Sequence, residues 1–372
     1  MSRIASDVCR AVLAGGEFDH YYSADLYYAG ERRIPNVPVT KVRFDEDGSA
    51  QVQQSGSCTV VWQDDYGTSI TPDSAQGVLA PFGAEIYLYS TIVAGPFIEK
   101  VPLGQFRITN VPSAQDEEML FKGQYITTGS MVDVEFKERL QRVQQDRFDA
   151  PSAPTDLTSV WAEIGRQTGL QITRNIADAL IPRAVAYQED RLKAVYDLAN
   201  VLDATLHMTA DGALSMRPNA WPAPIDALYR GDRGTIVSVG KGMATDGVYN
   251  RVAVRSTTDG GTAILATAAK TDGPLRAVNA DGSRSPWGAV TEFVDSQYVT
   301  DTTTALQYAQ RELGRVAVIG RRTVPIVETF NPLRERGDVI TVERAKKVIT
   351  GRIKSIERDT GPTQTMQVVI NG

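Results

Sequence analysis

The hydrophobic periodicity of this chain changes twice, and no other sequence feature constrains the fold as strongly. Between residues 21 and 108, short runs of aromatic and β-branched residues alternate with turns that contain glycine or proline, a pattern typical of a small β-barrel or sandwich. Between residues 155 and 218 the period lengthens to that of an amphipathic helix. The β pattern returns from about residue 234. The sequence therefore predicts a mainly β protein with an α+β insertion.

The first region contains enough strand segments to form a barrel of its own. A turn at residues 45–48, Asp-Glu-Asp-Gly, leads into a short strand at 51–53 and indicates a hairpin. We predict an N-terminal β-barrel domain over residues 1–130. Its other predicted strands are 21–28, 37–44, 57–62, 84–89 and 103–108.

The middle region alternates helix and strand. One amphipathic helix is predicted to begin near residue 155 and to end at Gly169, and a second begins near residue 189. We predict a compact α+β domain over residues 131–230. Its other elements are a short strand at 170–173 and a hairpin over 206–216.

The last region is predicted to be a second barrel that carries an insertion. A helix over residues 305–313 follows a run of threonines that can cap its N-terminus. We predict a second β-barrel domain over residues 231–372, with a helix-containing insertion at about 257–325. The predicted strands are 235–239, 251–254, 338–342, 348–356 and 365–370.

Composition argues against several classes of protein. The chain has 39 basic and 45 acidic residues, and its net charge of −6 argues against a dedicated nucleic-acid-binding protein. Its densest basic segment, 344–347, is interpreted as a solvated turn. No apolar run approaches the ~20 residues of a membrane helix, and residues 1–8 lack the apolar stretch of a secretory signal. The sequence therefore predicts a protein that folds in the cytoplasm.

Side chains that commonly perform catalysis are scarce. His20 follows Asp19, but strand alternation places the two on opposite faces, so they do not form a dyad. His207 lies in an alternating strand and is interpreted as a satisfied or surface histidine. Cys9 and Cys58 are predicted to be buried free thiols, because two cysteines cannot form a disulfide framework.

Glycine motifs do not indicate a nucleotide or nucleophile site. A nucleophile elbow, Gly-x-Ser-x-Gly, does not occur in the sequence. The glycine pairs at 15–16 and 260–261, and Gly-Lys-Gly at 240–242, lack the strand–loop–helix context of a phosphate-binding loop. We interpret them as turns.

Carboxylate groups do not indicate a metal or acid–base site. Asp64-Asp65 lacks the ligand spacing of a calcium loop, and Asp116-Glu117-Glu118 is interpreted as a solvated edge before a strand. Asp45-x-Asp47-Gly48 is interpreted as a charged hairpin tip. We predict no catalytic, cofactor-binding or metal-binding residue and no enzymatic activity.

The segment 62–108 resembles the N-terminal domain of hub-type minor tail proteins of long-tailed phages, the siphophages. Pro-Phe-Gly-Ala-Glu-Ile at 81–86 matches a Pro-Phe-Gly-x-Glu-Ile element of those proteins, and Val-Pro-Leu-Gly-Gln-Phe-Arg-Ile at 101–108 matches the strand that follows it. Physically, the first motif is a tight turn into a barrel strand. In the second, Leu103 and Phe106 bracket a glycine bulge.

Later segments extend the resemblance in the same order. The helix-to-hairpin segment 198–218 looks like the second domain of the hub family, and Asn-Arg-Val at 250–252 resembles the strand that opens the family's second barrel. The helix at 305–313 and the turn Arg-Gly-Asp-Val-Ile at 336–340 complete the series. The motifs together cover nearly the whole chain.

The resemblance implies a structural virion protein, the baseplate hub at the tip of a phage tail. Such hubs are generally trimers whose subunits have two small tudor-like barrels, which gives a pseudo-sixfold ring between the sixfold tail tube and the threefold tip. The implied partners are further copies of the chain, the distal tail protein or tail tube, the tape-measure protein, and tip fibre or spike proteins. Genome DNA is expected to pass through the channel without sequence-specific binding. Assembly is expected in the host cytoplasm.

Two alternative functions remain open. One is the hub of a contractile injection or type VI-like secretion machine, and the other is a carbohydrate-binding tail adhesin whose exposed tryptophans stack on sugars. A ring requires two different complementary surfaces on each subunit. The candidate sugar-stacking side chains are Trp62, Trp221 and Trp287, and the candidate ring-interface side chains are Tyr21, Tyr22, Tyr27 and Tyr28.

Overall fold

The computed structural model describes most of the chain as a β-rich protein with a few short helices. No helix among the residues that it describes is both long and apolar enough to cross a membrane. The described residues are 3–183, 185–231, 234–240, 247–257, 263–295, 301–317, 322–344 and 347–370.

Six strands form a first closed barrel. Their order is β1-β4-β5-β6-β3-β2, and β1 also pairs with β2, so the ladder returns to its first strand. Alternate residues of every strand point into one apolar core, which includes Leu26, Phe106 and Phe136. A helix, α1 (Asp7–Gly15), packs against this core through Cys9 and Leu13. The strands are β1 (Asp19–Tyr28), β2 (Glu31–Asp47), β3 (Gln54–Trp62), β4 (Ala84–Ala94), β5 (Phe97–Phe121) and β6 (Gln124–Glu138).

The bulge predicted beside Gly104 is present. Leu88 pairs with Gly104 and the next residue, Tyr89, pairs with Pro102, so Leu103 is the extra residue of the ladder. Gly104 has φ 158, and a Cβ there would lie 2.5 Å from the ring of Phe106. The glycine therefore lets the Phe106 ring lie against the backbone.

Two details of the first region differ from the sequence prediction. The expected strand at 51–53 is a loop, because the backbone N–H of Asp47 bonds to the carbonyl of Gln53 at 2.7 Å and β3 begins only at Gln54. The predicted domain limit at residue 130 falls inside β6, whose Val132 and Phe136 lie in the first core. We therefore propose that the first unit extends to Glu138.

The α+β unit follows the first barrel. The predicted helix start near residue 155 was wrong: the side chain of Asp156 bonds to the N–H of Thr158, and the helix begins after the cap Ser159, which accepts from the N–H of Ala162. The predicted strand at 170–173 is reduced to one bridge between Ile172 and Leu214. The elements are α2 (Leu140–Gln145), α3 (Val160–Thr168), α4 (Arg191–Val201), β7 (Ala204–Met208) and β8 (Leu214–Pro218).

An insert with its own small sheet comes next. The strand at 251–254, expected in the second barrel, instead pairs only within this insert, where Val252 and Val254 pack against Ala305 and Ala309 of the helix. That helix is capped by Asp301 rather than by a threonine. After β9 (Asp226–Leu228) and β10 (Ile236–Val239), the insert contains β11 (Arg251–Thr257), β12 (Ala263–Ala269), β13 (Thr291–Asp295) and α5 (Thr302–Val316).

The remaining strands complete a second barrel around its own apolar core. The strand order is β9-β15-β16-β17-β14-β10, and the N–H of Ile236 bonds to the carbonyl of Tyr229 at 3.2 Å, which links the two ends. Each of the six strands contributes to the core, for example Ile340, Ile356 and Val368. The last four strands are β14 (Arg322–Thr329), β15 (Val339–Arg344), β16 (Lys347–Arg358) and β17 (Thr363–Ile370).

The two barrels share one continuous sheet. Residues 44–47 of β2 pair antiparallel with residues 355–358 of β16. We call this four-residue pairing the seam. Phe330 and Leu333, which precede β15, also pack into the first core. The two barrels are therefore joined by backbone hydrogen bonds and by shared apolar contacts.

Candidate functional site

Charged side chains are buried where the first barrel, the α+β unit and the second barrel meet. Most of the second barrel's contribution comes from the segment before β15, residues 334–338. We call the cluster the joint. Its members are Arg3, Glu46, Glu138, His207, Arg217, Glu335, Arg336, Asp338 and Arg358, all below a tenth exposed except Arg217.

Glu46 is the centre of the joint. Its carboxylate accepts from Arg3 Nη2 at 3.0 Å, from Arg358 Nη1 at 2.9 Å and from the backbone N–H of Arg336 at 3.0 Å. Burial alone would raise the pKa of Glu46, but the guanidinium groups of Arg3 and Arg358 outweigh it and hold the pKa at about 2. The carboxylate is therefore charged at neutral pH and ties the first barrel to the second.

The two arginines that flank Glu46 have further partners. Arg3 Nη1 donates to the carbonyl of Pro332 at 2.7 Å, and its Nη2 donates to the carbonyl of Leu103 at 3.1 Å. Arg358 Nε donates to the side chain of Gln364 at 3.1 Å. Each guanidinium thus connects several backbone segments, so the buried charges are compensated.

Arg217 of β8 brings the α+β unit into the joint. It donates to Asp338 at 2.9 Å, to Glu335 at 2.7 Å and lies 3.2 Å from Nε2 of His207. Burial first, and then the positive charge of Arg217, lower the pKa of His207 well below its ordinary value. His207 is therefore neutral and can accept the hydrogen bond, so it acts in the joint as a structural acceptor.

Arg336, in the segment before β15, contacts both the α+β unit and the first barrel, and Glu138 of the first barrel lies in the same cluster. Arg336 donates to the carbonyl of Leu206 at 3.1 Å and to the side chain of Gln53. Glu138 accepts the N–H of Gln53 at 2.7 Å. Burial raises the pKa of Glu138 to about 7, because the N–H of Gln53 and the charge of Arg336 offset only part of the cost.

The turn motif at 336–340 lies inside the joint. Gly337 has φ 88, a conformation that favours glycine, and a Cβ there would lie 2.9 Å from Cδ of Arg217. Asp338 and Arg336 point their side chains to the α+β unit on either side of this glycine. A motif that is weak as a sequence signal therefore occupies the place where three units meet.

The chemistry of the joint is structural. Its carboxylates are held by arginines and backbone N–H groups, an arrangement that fixes geometry and leaves no acid–base pair facing solvent. No group of three or more His, Cys, Asp or Glu side chains in the described part of the chain is placed to hold a metal ion. The joint can set the angle between the barrels.

The other histidine is also placed between the barrels. The ring of His20 stacks on Phe330, with 3.9 Å between ring centroids. Burial lowers the pKa of His20. Asp19 is exposed, on the opposite face of β1, as alternation predicts.

The acidic motifs bind their own loops. Asp64 accepts the N–H groups of Tyr66 and Thr68, at 3.1 and 2.9 Å. Asp47 accepts the N–H of Ser49 at 2.8 Å, in the charged turn predicted there. Asp116 is part of β5 rather than of an edge before a strand, and its Oδ1 accepts from the hydroxyls of Ser69, Thr71 and Ser130.

The cysteines are free and buried, as predicted. Burial raises the pKa of Cys9 to about 11 and that of Cys58 to about 12. Neither thiol is therefore a nucleophile at neutral pH.

The glycine and basic motifs carry no ligand-binding geometry where they are described. Gly15 ends α1 and Gly16 caps it, and the N–H of Gly240 bonds to the carbonyl of Pro325 at 2.8 Å, next to β10. The glycines at 260–261, residues 241–242 and residues 345–346 of the basic segment lie outside the described residues.

The four tyrosines predicted as candidates for the ring interface differ in exposure. Tyr21 is 52% exposed, Tyr22 is buried, and Tyr27 and Tyr28 are half-buried. The tryptophans considered for sugar stacking are all half-buried: Trp62, Trp221 and Trp287.

Glu46, the central residue of the joint, was not predicted as a site residue although its signal is present in the sequence. It lies between Asp45 and Asp47, which were interpreted as a charged hairpin tip. Alternation along β2 places Glu46 on the same side as Phe44, which is fully buried in the first core. A charged residue on the inward face of a strand indicates a buried ion pair.

Comparisons with known proteins give a fold but no close relative. No protein-family model matches the chain, and no curated protein matches it by sequence. Among solved structures, a 43 kDa tail protein of prophage MuSo2 from Shewanella oneidensis matches 94% of this chain and 98% of its own, with a TM-score of 0.56 and 11% identity.

Two further tail proteins match over the same extent. A tail protein from Neisseria meningitidis has a TM-score of 0.56 and 12% identity, and covers 94% of this chain and 96% of its own. Prophage tail protein gp18 from Listeria monocytogenes has a TM-score of 0.51 and 9% identity, and covers 94% of each chain. The chain has the fold of phage tail proteins. The resemblance inferred from the motifs is confirmed at the level of the fold.

Proposed function

We propose that this chain is a structural, non-enzymatic virion protein that forms the trimeric hub at the tip of a siphophage tail. Three solved tail proteins, two of them from prophages, share its fold over nearly the whole chain, which supports a role in a tail. The motif order supports the hub within that group.

One observation carries the proposal: the seam and the joint fix two similar barrels within one subunit. Three such subunits present six barrels around one axis. A ring of this kind matches a sixfold tube on one side and a threefold tip on the other, as the resemblance implies. Such an adaptor requires rigidly coupled barrels, because a variable angle between the two barrels would disturb the match between the ring and the sixfold tube.

The proposed partners are those of a tail tip. They are other copies of the chain, the distal tail protein or tail tube, the tape-measure protein and the fibre or spike proteins. Genome DNA passes through the channel, and the acidic balance of the chain, −6, disfavours adhesion of a polyanion to the wall. The subunits assemble in the host cytoplasm and end in the virion.

The test is the mass of the purified protein by light scattering over a concentration series, together with electron microscopy of negatively stained particles. The proposal expects a stable trimer, or two stacked trimers, with threefold averages that show a ring. A strict monomer at every concentration contradicts autonomous trimerisation. A monomer that binds on a glycan array favours the adhesin instead. Copurification with a sheath protein from a phage lysate favours the contractile machine.

A further inference from the structure

The ribbon formed by β5 and β6 projects beyond the first barrel. Asp116 and Ser130 mark its base, where the Asp116 carboxylate also holds the loop that contains Ser69. Beyond this point residues 117–121 pair with residues 124–129. The turn residues Lys122 and Gly123 have φ 51 and 81, which is typical of a two-residue hairpin. The arms extend about 20 Å, at roughly 3.4 Å per residue.

The end of this ribbon is apolar on both faces. Leu120 pairs with Tyr125 on one face, and Met119 pairs with Ile126 on the other. Of the 20 large apolar side chains that are exposed in the described residues, five lie between residues 119 and 126. A two-stranded ribbon is only marginally stable alone. Apolar side chains on both faces of such a ribbon indicate insertion into another surface.

The charges at the neck of the ribbon favour a protein partner over a membrane. Glu117 and Glu118 are exposed directly below the apolar tip, and Lys122 is the cation at the turn. Segments that insert into anionic lipid surfaces are usually flanked by basic residues. An acidic neck is repelled by such a surface and instead matches a pocket with a basic rim.

The same chain has an open surface cavity with one arginine at its rim, Arg33, which pairs with the exposed Glu31 at 3.0 Å. It has a volume of about 510 Å³, and both apolar and polar side chains of the β1–β2 hairpin and of the loop before β4 line it. The lining includes Tyr28, Arg33, Ile34, Ile70, Gln76 and Val78.

We propose that the β5–β6 tip of one subunit inserts into the cavity beside Arg33 of a second copy of this chain, with Glu117 and Glu118 placed against that arginine. A closed ring requires a projecting and a receiving surface on every subunit, and this chain carries one of each. The inference rests on the proposed ring, because it names the surfaces that hold the ring together.

The first test measures the oligomer after charge is placed on both faces of the tip. Leu120→Asp combined with Ile126→Asp is expected to raise the dissociation constant of the oligomer at least 100-fold in light scattering. Both side chains lie beyond the ladder of the barrel, and only Ile126 lies near another segment of the subunit, the loop at Gly67, so the melting temperature in circular dichroism should change little. Val348→Asp removes an equally exposed apolar side chain, 67% exposed, from the second barrel and is expected to leave the oligomer intact.

The second test locates the contact. Tyr125→Cys and Gln76→Cys proteins are mixed and treated with a short bismaleimide, which does not react with the two buried native thiols. The mixture should form cross-linked dimers, and each variant alone should not. Tyr125→Cys mixed with Val348→Cys serves as the negative control.

The outcomes separate this inference from the proposed function. A wild-type oligomer that persists in the tip variant, or that gives no 125–76 cross-link, overturns the docking of the tip and leaves the hub proposal standing. A wild-type monomer overturns both. Sedimentation of the wild type, but not of the tip variant, with vesicles of phosphatidylglycerol and phosphatidylcholine overturns the docking in favour of a membrane contact.

Discussion

The interior of each barrel and the joint between the barrels are built from opposite kinds of side chain. Each barrel has an apolar core, in which Phe106 and Ile356 are fully buried. At the joint, Glu46 and Arg358 are buried just as deeply but carry charge. Apolar contacts are non-directional and tolerate many arrangements, whereas paired charges leave a large penalty when they are misaligned. The cores thus stabilise the barrels, and the joint specifies how they are placed.

Replacement of the central carboxylate is expected to have the largest effect. Glu46→Gln leaves Arg3 and Arg358 buried without a counter-charge and should reduce the free energy of unfolding by about 3–5 kcal/mol. Calorimetry should also show a broadened or split transition, because the seam and the contacts of Phe330 and Leu333 then couple the barrels without the buried charges. Ile86→Val, in the core of the first barrel, should cost about 1 kcal/mol and retain one transition. Equal losses in the two variants would remove the distinction between core and joint.

Replacement of Glu138, at the same joint, is expected to raise the free energy of unfolding rather than to lower it. Its pKa is raised from 4.5 to about 7, so the folded state binds a proton more tightly than the unfolded state does, and stability falls as pH rises between these values. The rise corresponds to about 3 kcal/mol. Glu138→Gln should therefore be more stable than the wild type at pH 8 by up to about 3 kcal/mol, with the difference vanishing near pH 4. Urea unfolding at several pH values measures this, and a difference that does not depend on pH contradicts it.

Backbone strain at the joint should have a smaller effect. Gly337→Ala forces a side chain into a left-handed conformation and against Cδ of Arg217, 2.9 Å away, at an expected cost of about 2 kcal/mol. Gly95→Ala is the matched control, since Gly95 has φ 57 and nothing within 4 Å of the new Cβ. Denaturant unfolding should show about 1 kcal/mol for the control. If the two substitutions lower the free energy of unfolding equally, the contact between residue 337 and Arg217 is not tight.

An exposed ion pair should contribute least to the free energy of unfolding. Lys193 and Asp197 lie one turn apart on α4, 2.9 Å between Nζ and Oδ2, with the lysine 65% exposed. Asp197→Asn should change stability by about 0.3–0.5 kcal/mol, and less in 1 M salt. The same salt should have little effect on the joint. A large, salt-independent loss in Asp197→Asn would show that burial does not distinguish the two kinds of pair.

The barrel strands could be predicted because alternation is a local signal. The strand at 21–28 and the hairpin at 206–216 were located from alternating apolar residues and turn glycines, and the structure confirms both. The strand at 251–254 was also found, but its partner was not, since pairing depends on residues far apart in the chain. The sequence places Val252 and Val254 in a strand without indicating that α5 covers them.

The joint could not be predicted from the sequence, because its residues also lie far apart in the chain. Arg3, Glu46 and Arg358 are each unremarkable charged residues, and only the fold brings them together. The inward position of Glu46 could be recognised from alternation, but its partners could not. The apolar tip of the β5–β6 ribbon was missed because Met119, Leu120 and Phe121 follow acidic residues that were interpreted as an edge.

The contact of Arg3 and Arg358 with one carboxylate has a consequence for biosynthesis. Arg3 and Glu46 are synthesised more than three hundred residues before Arg358. During that interval Glu46 has only part of its counter-charge. A chain that stops before residue 358 cannot neutralise Glu46 as the longer chain does. The complete joint, and with it the fixed placement of the two barrels, therefore forms only after residue 358 has been synthesised.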